Sequence, residues 1–164
     1  MAGPPLSLKA RALGLLAQRE HSASELRRKL LRHAQRQQRE PAGDDDAAGA
    51  SMAYQVDELI VWLQANRYLS EERFVESRIH ARAARYGNLR IRQELAQHGV
   101  ALGADAALAL RESELERALQ VWQRKYGSPP ADANERARQS RFLAQRGFSP
   151  EVIARVMRRA AQPD

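Results

Sequence analysis

The chain has 164 residues, is rich in helix-forming Ala, Leu, Arg, Gln and Glu, and carries 27 Lys and Arg against 20 Asp and Glu, a net charge of +7. It contains no cysteine and only four scattered histidines, which excludes disulfides, thiolate sites and cysteine nucleophiles and argues against a metal centre. No signal peptide and no run of about 18 apolar residues is present, so we expect a cytoplasmic protein without a membrane span, and the positive charge favours an anionic partner.

The first part of the chain predicts helices on either side of a long polar insertion. Ser22 and Glu25 have the spacing of a capping box and precede an apolar stripe, so we expect a helix to begin there. Residues 36–50, which are rich in Pro, Gly and Asp, are interpreted as a disordered surface insertion. After it, apolar residues recur with helical spacing from Val56 to Leu63 and predict another helix.

Further capping signals predict where the later helices begin and end. Ser70 precedes two glutamates and an apolar stripe, which indicates a helix start. Ser113 and Glu116 repeat the capping box before the clearest amphipathic run of the chain, and Ser149 with Pro150 predicts the start of the last helix. Glycines stand where four of the helices would end, at Gly87, Gly99, Gly127 and Gly147.

Two of these helix ends indicate an internal repeat. Residues 95–100, LAQHGV, match residues 143–148, LAQRGF, at four of six positions. A related segment around Leu30 extends the pattern to three tandem three-helix units, at residues 7–69, 70–112 and 113–161. Each unit carries an apolar stripe that its own helices cannot bury completely, so we expect an all-α fold whose units stack into an elongated, curved array.

The order of these motifs resembles the RecX family over nearly the whole chain. The segments that carry the resemblance are Glu25-Leu26-x-x-Lys29-Leu30, Asn66-Arg67-Tyr68-Leu69-Ser70-Glu71-Glu72-Arg73-Phe74, Arg90-Ile91-x-x-Glu94-Leu95 with Gly99-Val100, and Arg141-Phe142-Leu143-x-x-Arg146-Gly147-Phe148-Ser149. The resemblance implies a repeat protein without catalytic activity or cofactor. It also implies a regulator of DNA repair that binds the RecA filament on single-stranded DNA and inhibits the recombinase, ATPase and coprotease activities of RecA.

Clustered arginines are the candidate partner-binding residues. Those of the middle unit are expected on or beside one polar helix face, and a smaller set lies in the last unit; together they are Arg78, Arg82, Arg85, Arg92, Arg136, Arg138 and Arg141. A merely solvated face is the alternative interpretation. Guanidinium groups suit phosphates and carboxylates equally, so the charge leaves open whether DNA is touched directly or only an acidic protein surface.

The large apolar residues are expected in the core. Tyr68, Leu69 and Phe74 flank a predicted helix start, and Trp62 and Trp122 lie on apolar stripes, so burial is the favoured interpretation for all five. Stacking on a nucleobase is the alternative for the two tryptophans.

Two other functional classes can be weighed against a filament regulator. An enzyme is not expected, because no nucleophile with a base, no paired carboxylates and no metal ligands converge in the sequence. A helix-turn-helix transcription regulator is the rival, since the helix after Ser22 carries four cations, Arg27, Arg28, Lys29 and Arg32. The repeat argues against that rival, because such a module needs one trihelical unit. We expect the chain to act as a monomer.

Overall fold

The computed structural model describes residues 6–38 and 45–162, and these residues form α-helices without any β-strand. The helices are α1 Leu8–Gln18, α2 Ala23–Gln37, α3 Asp45–Ala65, α4 Glu71–Arg82, α5 Asn88–Gln97, α6 Ala104–Lys125, α7 Ala133–Gln145 and α8 Pro150–Ala160. The predicted all-α class is confirmed. The described residues fall into two compact units, which divide between Phe74 and Val75 inside α4.

The first unit is built on the apolar faces of α1, α2 and α3. Its fully buried residues are Ala12, Leu26, Leu30, Val56 and Leu63. The hydroxyl of Ser22 accepts a hydrogen bond from the backbone N–H of Glu25 at 3.2 Å, which caps α2 as the sequence predicts.

Part of the predicted insertion is helical. Residues 36–37 end α2 and residues 45–50 begin α3, so the interpretation of these residues as disordered is wrong. Ala47, Ala48 and Ala50 are strong helix formers, and their propensity outweighs the effect of Gly49 in the same turn. The rest of the predicted insertion, residues 39–44, lies outside the described residues.

The helix α6 is continuous through the position where a new helix was predicted. Ser113 lies in its middle, and its hydroxyl donates to the carbonyl of Leu110 at 3.3 Å instead of capping a first turn. The predicted helix start at Ser113 is therefore wrong, because α6 has no Gly or Pro to interrupt propagation. The predicted units 70–112 and 113–161 share this one helix.

The second unit packs α6, α7 and α8 around an apolar core. Its most buried members are Ala118, Leu143, Phe148, Val156 and Met157. Trp122 is buried as predicted, and its indole N–H donates to the buried amide oxygen of Gln139 at 2.7 Å. Ser149 caps α8 through the N–H of Val152 at 3.4 Å, which confirms the predicted start.

Two aromatic residues lie at the surface and not in the core. Leu69 and Phe74 are buried, as expected, with exposed fractions of 3% and 1%. Trp62 and Tyr68 are exposed, so their predicted burial is wrong. The turn after α3 directs Leu69 into the core and Tyr68 towards solvent.

The starts of α5 and α8 meet at one buried carboxylate. Glu114, in α6, is 5% exposed, and its Oε1 accepts hydrogen bonds from the backbone N–H of Asn88 at 3.1 Å and of Ser149 at 3.3 Å. Both donors lie at helix N-termini, where the helix dipole favours a negative charge. The carboxylate thus satisfies free N–H groups of two helices at once.

Backbone contacts also join the start of α5 to the end of α7. The N–H of Gly87 donates to the carbonyl of Arg146 at 2.8 Å, and the N–H of Leu89 donates to the carbonyl of Gly147 at 3.0 Å. Gly147 has φ of 85°, as expected of a residue that ends a helix, whereas Gly87 is the N-cap of α5 and does not have the predicted C-terminal role. At Gly87 the requirement is one of space, because a Cβ would overlap the backbone of Gly147 and Phe148.

Replacing Gly87 with alanine tests this close approach. We expect the free energy of unfolding to fall by about 3 kcal/mol, because the neighbouring atoms belong to the backbone and cannot rotate away. Gly103→Ala is the control, since a Cβ at that position would meet nothing within 4 Å. Chemical denaturation compares the two variants, and an equal loss in both would contradict this interpretation.

His21 is a buried titratable group in the first unit. The side chain is 1% exposed; its Nδ1 lies 2.9 Å from the carbonyl oxygen of Arg19, and its Nε2 lies 3.0 Å from Nζ of Lys29. Because the carbonyl can only accept, Nδ1 carries the proton, and Nε2 accepts from the ammonium group. Burial lowers the pKa of His21 below 6.5, and the charges of Arg19 and Lys29 lower it further, against the opposing effects of the Arg19 carbonyl and Glu25.

This lowered pKa predicts a loss of stability in mild acid. The unfolded chain binds a proton at His21 as the pH falls through 6.5 while the folded chain does not, so the free energy of unfolding should fall between pH 7 and pH 5. One group gives a slope of at most about 1.4 kcal/mol per pH unit. His21→Gln should remove this slope, whereas the same change at the exposed His80 should keep it. A slope unchanged in His21→Gln would refute the assignment.

Candidate anion-binding groove

A cationic cavity lies on the second unit. It has a volume of about 330 Å³, and we call it the basic groove; its lining residues are Ala84, Arg85, Val121, Arg124, Lys125, Phe142 and Arg146. Four of these seven residues are cationic and none is acidic. A concave surface lined by one sign of charge attracts the opposite sign, so the groove suits an anionic group.

The four cations of the groove come from three separate segments of the chain. The turn after α4 supplies Arg85, the last turn of α6 supplies Arg124 and Lys125, and the end of α7 supplies Arg146. The guanidinium of Arg124 donates to the carbonyl of Ala84 at 3.1 Å, which ties α6 to the turn. Cations at the end of α6 are also favoured by the helix dipole.

Arg117 fixes the turn that carries one side of the groove. Its Nη1 donates to the carbonyls of Ala83 at 3.1 Å and Tyr86 at 2.8 Å, and its Nη2 donates to Oδ1 of Asn88. Burial lowers the pKa of Arg117, while the nearby charge of Glu114 raises it. These contacts use the guanidinium to hold backbone, so Arg117 positions the groove and does not line it.

Aromatic rings hold several of the surrounding arginines. The guanidinium carbon of Arg90 lies 4.3 Å from the ring centroid of Tyr86, and those of Arg146 and Arg82 lie at 5.6 Å and 5.9 Å. Arg146 also lies 5.1 Å from the ring centroid of Phe142. A guanidinium over a ring face is attracted by the ring and can keep N–H groups available for acceptors, so an arginine held in this way can also bind an anion.

The structure separates the arginines that were predicted to act together. Arg85 lines the basic groove, but it lies in the turn beyond α4, so the predicted helical row with Arg78 and Arg82 is wrong at its last member. Nε of Arg82 forms an ion pair with Glu94 at 3.0 Å. Arg92 is exposed on α5 and lies outside the groove.

The remaining candidates lie on α7. Arg136, Arg138 and Arg141 are exposed there, and none of them lines the groove. Their role in partner binding, like that of the middle-unit arginines, stays a prediction.

The sequence reasoning missed three of the four groove cations, Arg124, Lys125 and Arg146. The available signal was the pair of adjacent cations directly before Tyr126, at the end of a predicted helix. That signal indicates a charged helix end, but it does not reveal which turn lies opposite.

Neither a membrane span nor a metal centre is found in the described part of the chain. Over residues 6–38 and 45–162, no helix combines the length and the apolar character needed to cross a bilayer. Within the same ranges, no three His, Cys, Asp or Glu side chains are grouped to hold a metal ion.

Comparison with protein families places two matches along the chain. Residues 70–102 match the model for the second three-helix domain of RecX, and residues 112–157 match the model for the third. The first matched range includes Arg85, and the second includes the other three groove cations.

Curated relatives match nearly the whole chain. It is 49% identical over 162 residues to the regulatory protein RecX of Herbaspirillum seropedicae, covering 98% of this chain and 95% of that protein. It is 46% identical over 160 residues to the regulatory protein RecX of Ralstonia nicotianae, covering 95% and 89%. The crystal structure of RecX from Lactobacillus salivarius has the same fold, with a TM-score of 0.69 at 17% identity over 94% of each chain.

Removing the Arg117 side chain tests whether it holds the turn beside the groove. Arg117→Leu should lower the free energy of unfolding by about 2 kcal/mol, because several carbonyls lose their donor and Glu114 loses a charge of opposite sign. Arg111→Leu, an exposed change on the same helix, is the control and should alter stability by about 0.5 kcal/mol or less. Chemical denaturation measures both, and a similar effect of the two changes would count against this role.

Proposed function

The chain belongs to the RecX family of regulatory proteins, and we propose that it binds the RecA filament on single-stranded DNA and inhibits the recombinase, ATPase and coprotease activities of RecA. The observation that carries the proposal is the 49% identity to a regulatory protein RecX across 98% of this chain. In this role the protein acts in the cytoplasm as a monomer and restrains homologous recombination and the SOS response.

We propose that inhibition works by binding and not by turnover. The basic groove supports this mode of action, because its four cations lie beside apolar Val121 and Phe142, and two of them are held in place, Arg124 by the carbonyl of Ala84 and Arg146 by the ring of Phe142. Such a surface combines charge attraction with apolar contact. It therefore suits an acidic patch or a phosphate backbone on the filament, and the attraction should weaken as salt rises.

A chain built from tandem units can contact more than one RecA subunit of a filament. A filament repeats the same surface, and a chain with several contact points can engage neighbouring copies. Each contact then raises the effective concentration for the next, so a filament should bind better than free RecA.

The helix-turn-helix alternative is weakened by contacts in α2. Its candidate recognition cations include Arg27, whose Nε pairs with Asp57 at 2.6 Å, and Lys29, whose Nζ pairs with Glu25 at 3.3 Å. A recognition helix needs its cations directed at bases and phosphates. Sequence-specific binding to duplex DNA would revive this alternative.

The test is RecA-catalysed ATP hydrolysis on single-stranded DNA with increasing amounts of this protein. Inhibition should appear below one chain per RecA and relax as salt rises. Arg85→Glu with Lys125→Glu should raise the concentration for half-inhibition about tenfold, because two favourable charges become repulsive.

Arg111→Glu with Arg155→Glu is the matched control, since it makes the same change in net charge at two exposed positions outside the groove and outside the candidate partner-binding residues. Unchanged hydrolysis at equimolar wild-type protein would refute the proposed function. Equal weakening by the two double variants would refute the assignment to the groove, while leaving a general role for positive charge.

A further inference from the structure

The turn after α3 carries two aromatic side chains that the core does not use. Trp62 is 37% exposed and Tyr68 is 49% exposed. Their ring centroids lie 5.6 Å apart at an interplanar angle of 19°, which is a stacked arrangement. Nζ of Lys9 lies 3.8 Å from the ring centroid of Trp62. We call these three residues the aromatic platform.

The backbone beneath the platform is held firmly. Arg67 has φ of 61°, and the next two N–H groups, of Tyr68 and Leu69, both donate to the carbonyl of Leu63, at 2.9 Å and 3.1 Å. Arg73 donates to the carbonyl of Tyr68 at 3.2 Å. These bonds fix the direction of the backbone, and the rings of Trp62 and Tyr68 pack on each other, so binding a ligand costs little further conformational entropy.

Most of the exposed neighbours of the platform along the chain are polar. They are Gln64, Asn66 and Arg67, with Val61, 64% exposed, as the large apolar exception, and Arg67 is a second cation besides Lys9 of the platform itself. A protein partner that buries apolar surface requires a broad apolar patch, whereas a nucleobase requires one ring face for stacking and a nearby cation for its phosphate. The platform has the second set of features.

We propose that the aromatic platform binds an unpaired base of single-stranded DNA. The base extends the stack of Trp62 and Tyr68, and the ammonium of Lys9 or the guanidinium of Arg67 meets the adjoining phosphate. This site deepens the proposed function and rests on it for its biological setting, because it states where the chain contacts the DNA of the filament. Stacking of this kind is tolerant of sequence, so no base preference is expected.

Intrinsic fluorescence of the full chain, without RecA, tests the site. The chain has two tryptophans. Trp122 is 6% exposed and hydrogen-bonded to Gln139, whereas Trp62 is 37% exposed, so a bound oligonucleotide is expected to contact Trp62 and not Trp122. Titration with a 20-nucleotide oligothymidylate should quench the tryptophan emission in parallel with binding measured by anisotropy of a labelled oligonucleotide. Binding without quenching would overturn the proposal, whatever the behaviour of any variant.

A pair of tyrosine variants adds a matched comparison. Tyr68→Ala should weaken oligothymidylate binding about tenfold, the loss expected for one stacked base. Tyr54 is 64% exposed on the same helix as Trp62, and its hydroxyl donates a hydrogen bond to Glu58. Tyr54→Ala should leave oligothymidylate binding unchanged. Far-UV circular dichroism checks that both variants keep their helix content.

An abasic oligonucleotide separates base stacking from phosphate attraction. The unmodified chain should bind it about as weakly as Tyr68→Ala binds oligothymidylate, and the variant should not distinguish the two ligands. An oligouridylate arm reports whether an unpaired RNA base is accepted as well. If Tyr68→Ala kept full oligonucleotide affinity but lost binding to RecA filaments, the platform would be a protein contact and the inference would be wrong.

The fluorescence and abasic experiments on the aromatic platform are independent of the RecA hydrolysis test of the proposed function. Failure to inhibit RecA hydrolysis would refute that function even if the platform bound DNA. Failure of the fluorescence and abasic experiments would refute the platform and leave RecA inhibition standing.

Discussion

A buried carboxylate organises the second unit. Taking a charged group out of water costs several kcal/mol unless hydrogen bonds and opposite charge replace the lost hydration. Glu114 receives N–H groups from the starts of α5 and α8, and Arg117 lies one turn further along the same helix. The compensation is shared by three helices, so the carboxylate stays buried only while α5, α6 and α8 keep their relative positions.

The groove follows from that constraint. Arg117 reaches from α6 to the turn after α4, and the close approach of Gly87 and Gly147 brings the start of α5 against the end of α7. The cations of the turn after α4, of the end of α6 and of the end of α7 therefore surround one cavity, although like charges repel. Stacking on Tyr86 and Phe142 offsets part of this repulsion, since each ring presents a negative face to a guanidinium. The site is therefore a product of packing that is specified elsewhere.

The sequence predicted local features better than distant ones. The capping box at Ser22 and the N-cap serine with proline at Ser149 mark real helix starts, because a non-helical segment precedes each, whereas the capping box at Ser113 lies inside an uninterrupted helix. Capping patterns report a favourable local bond and cannot decide whether a helix also continues upstream. The basic groove joins Arg85 to Arg124 and Arg146, and no spacing rule connects positions on three separate elements. Trp62 was misjudged for a related reason, since helical periodicity does not tell whether a partner covers a stripe.

Both units use some cations in internal ion pairs, but the surfaces that they present differ, and this difference bears on the filament binding proposed above. In the first unit, arginines form internal pairs: Arg27 with Asp57, and Arg73 with Glu20 at 2.9 Å. Such pairs hold helices in place but offer little net charge to a ligand, and exposed pairs contribute little stability. What the first unit presents instead is stacked aromatic surface, while the second presents a groove without acidic lining. A nucleoprotein filament offers both flat bases and anionic surface, so two modest and chemically distinct contacts on one chain would favour the filament over either bare DNA or free protein. Selectivity of this kind comes from requiring both contacts at once, and it needs neither of them to be strong.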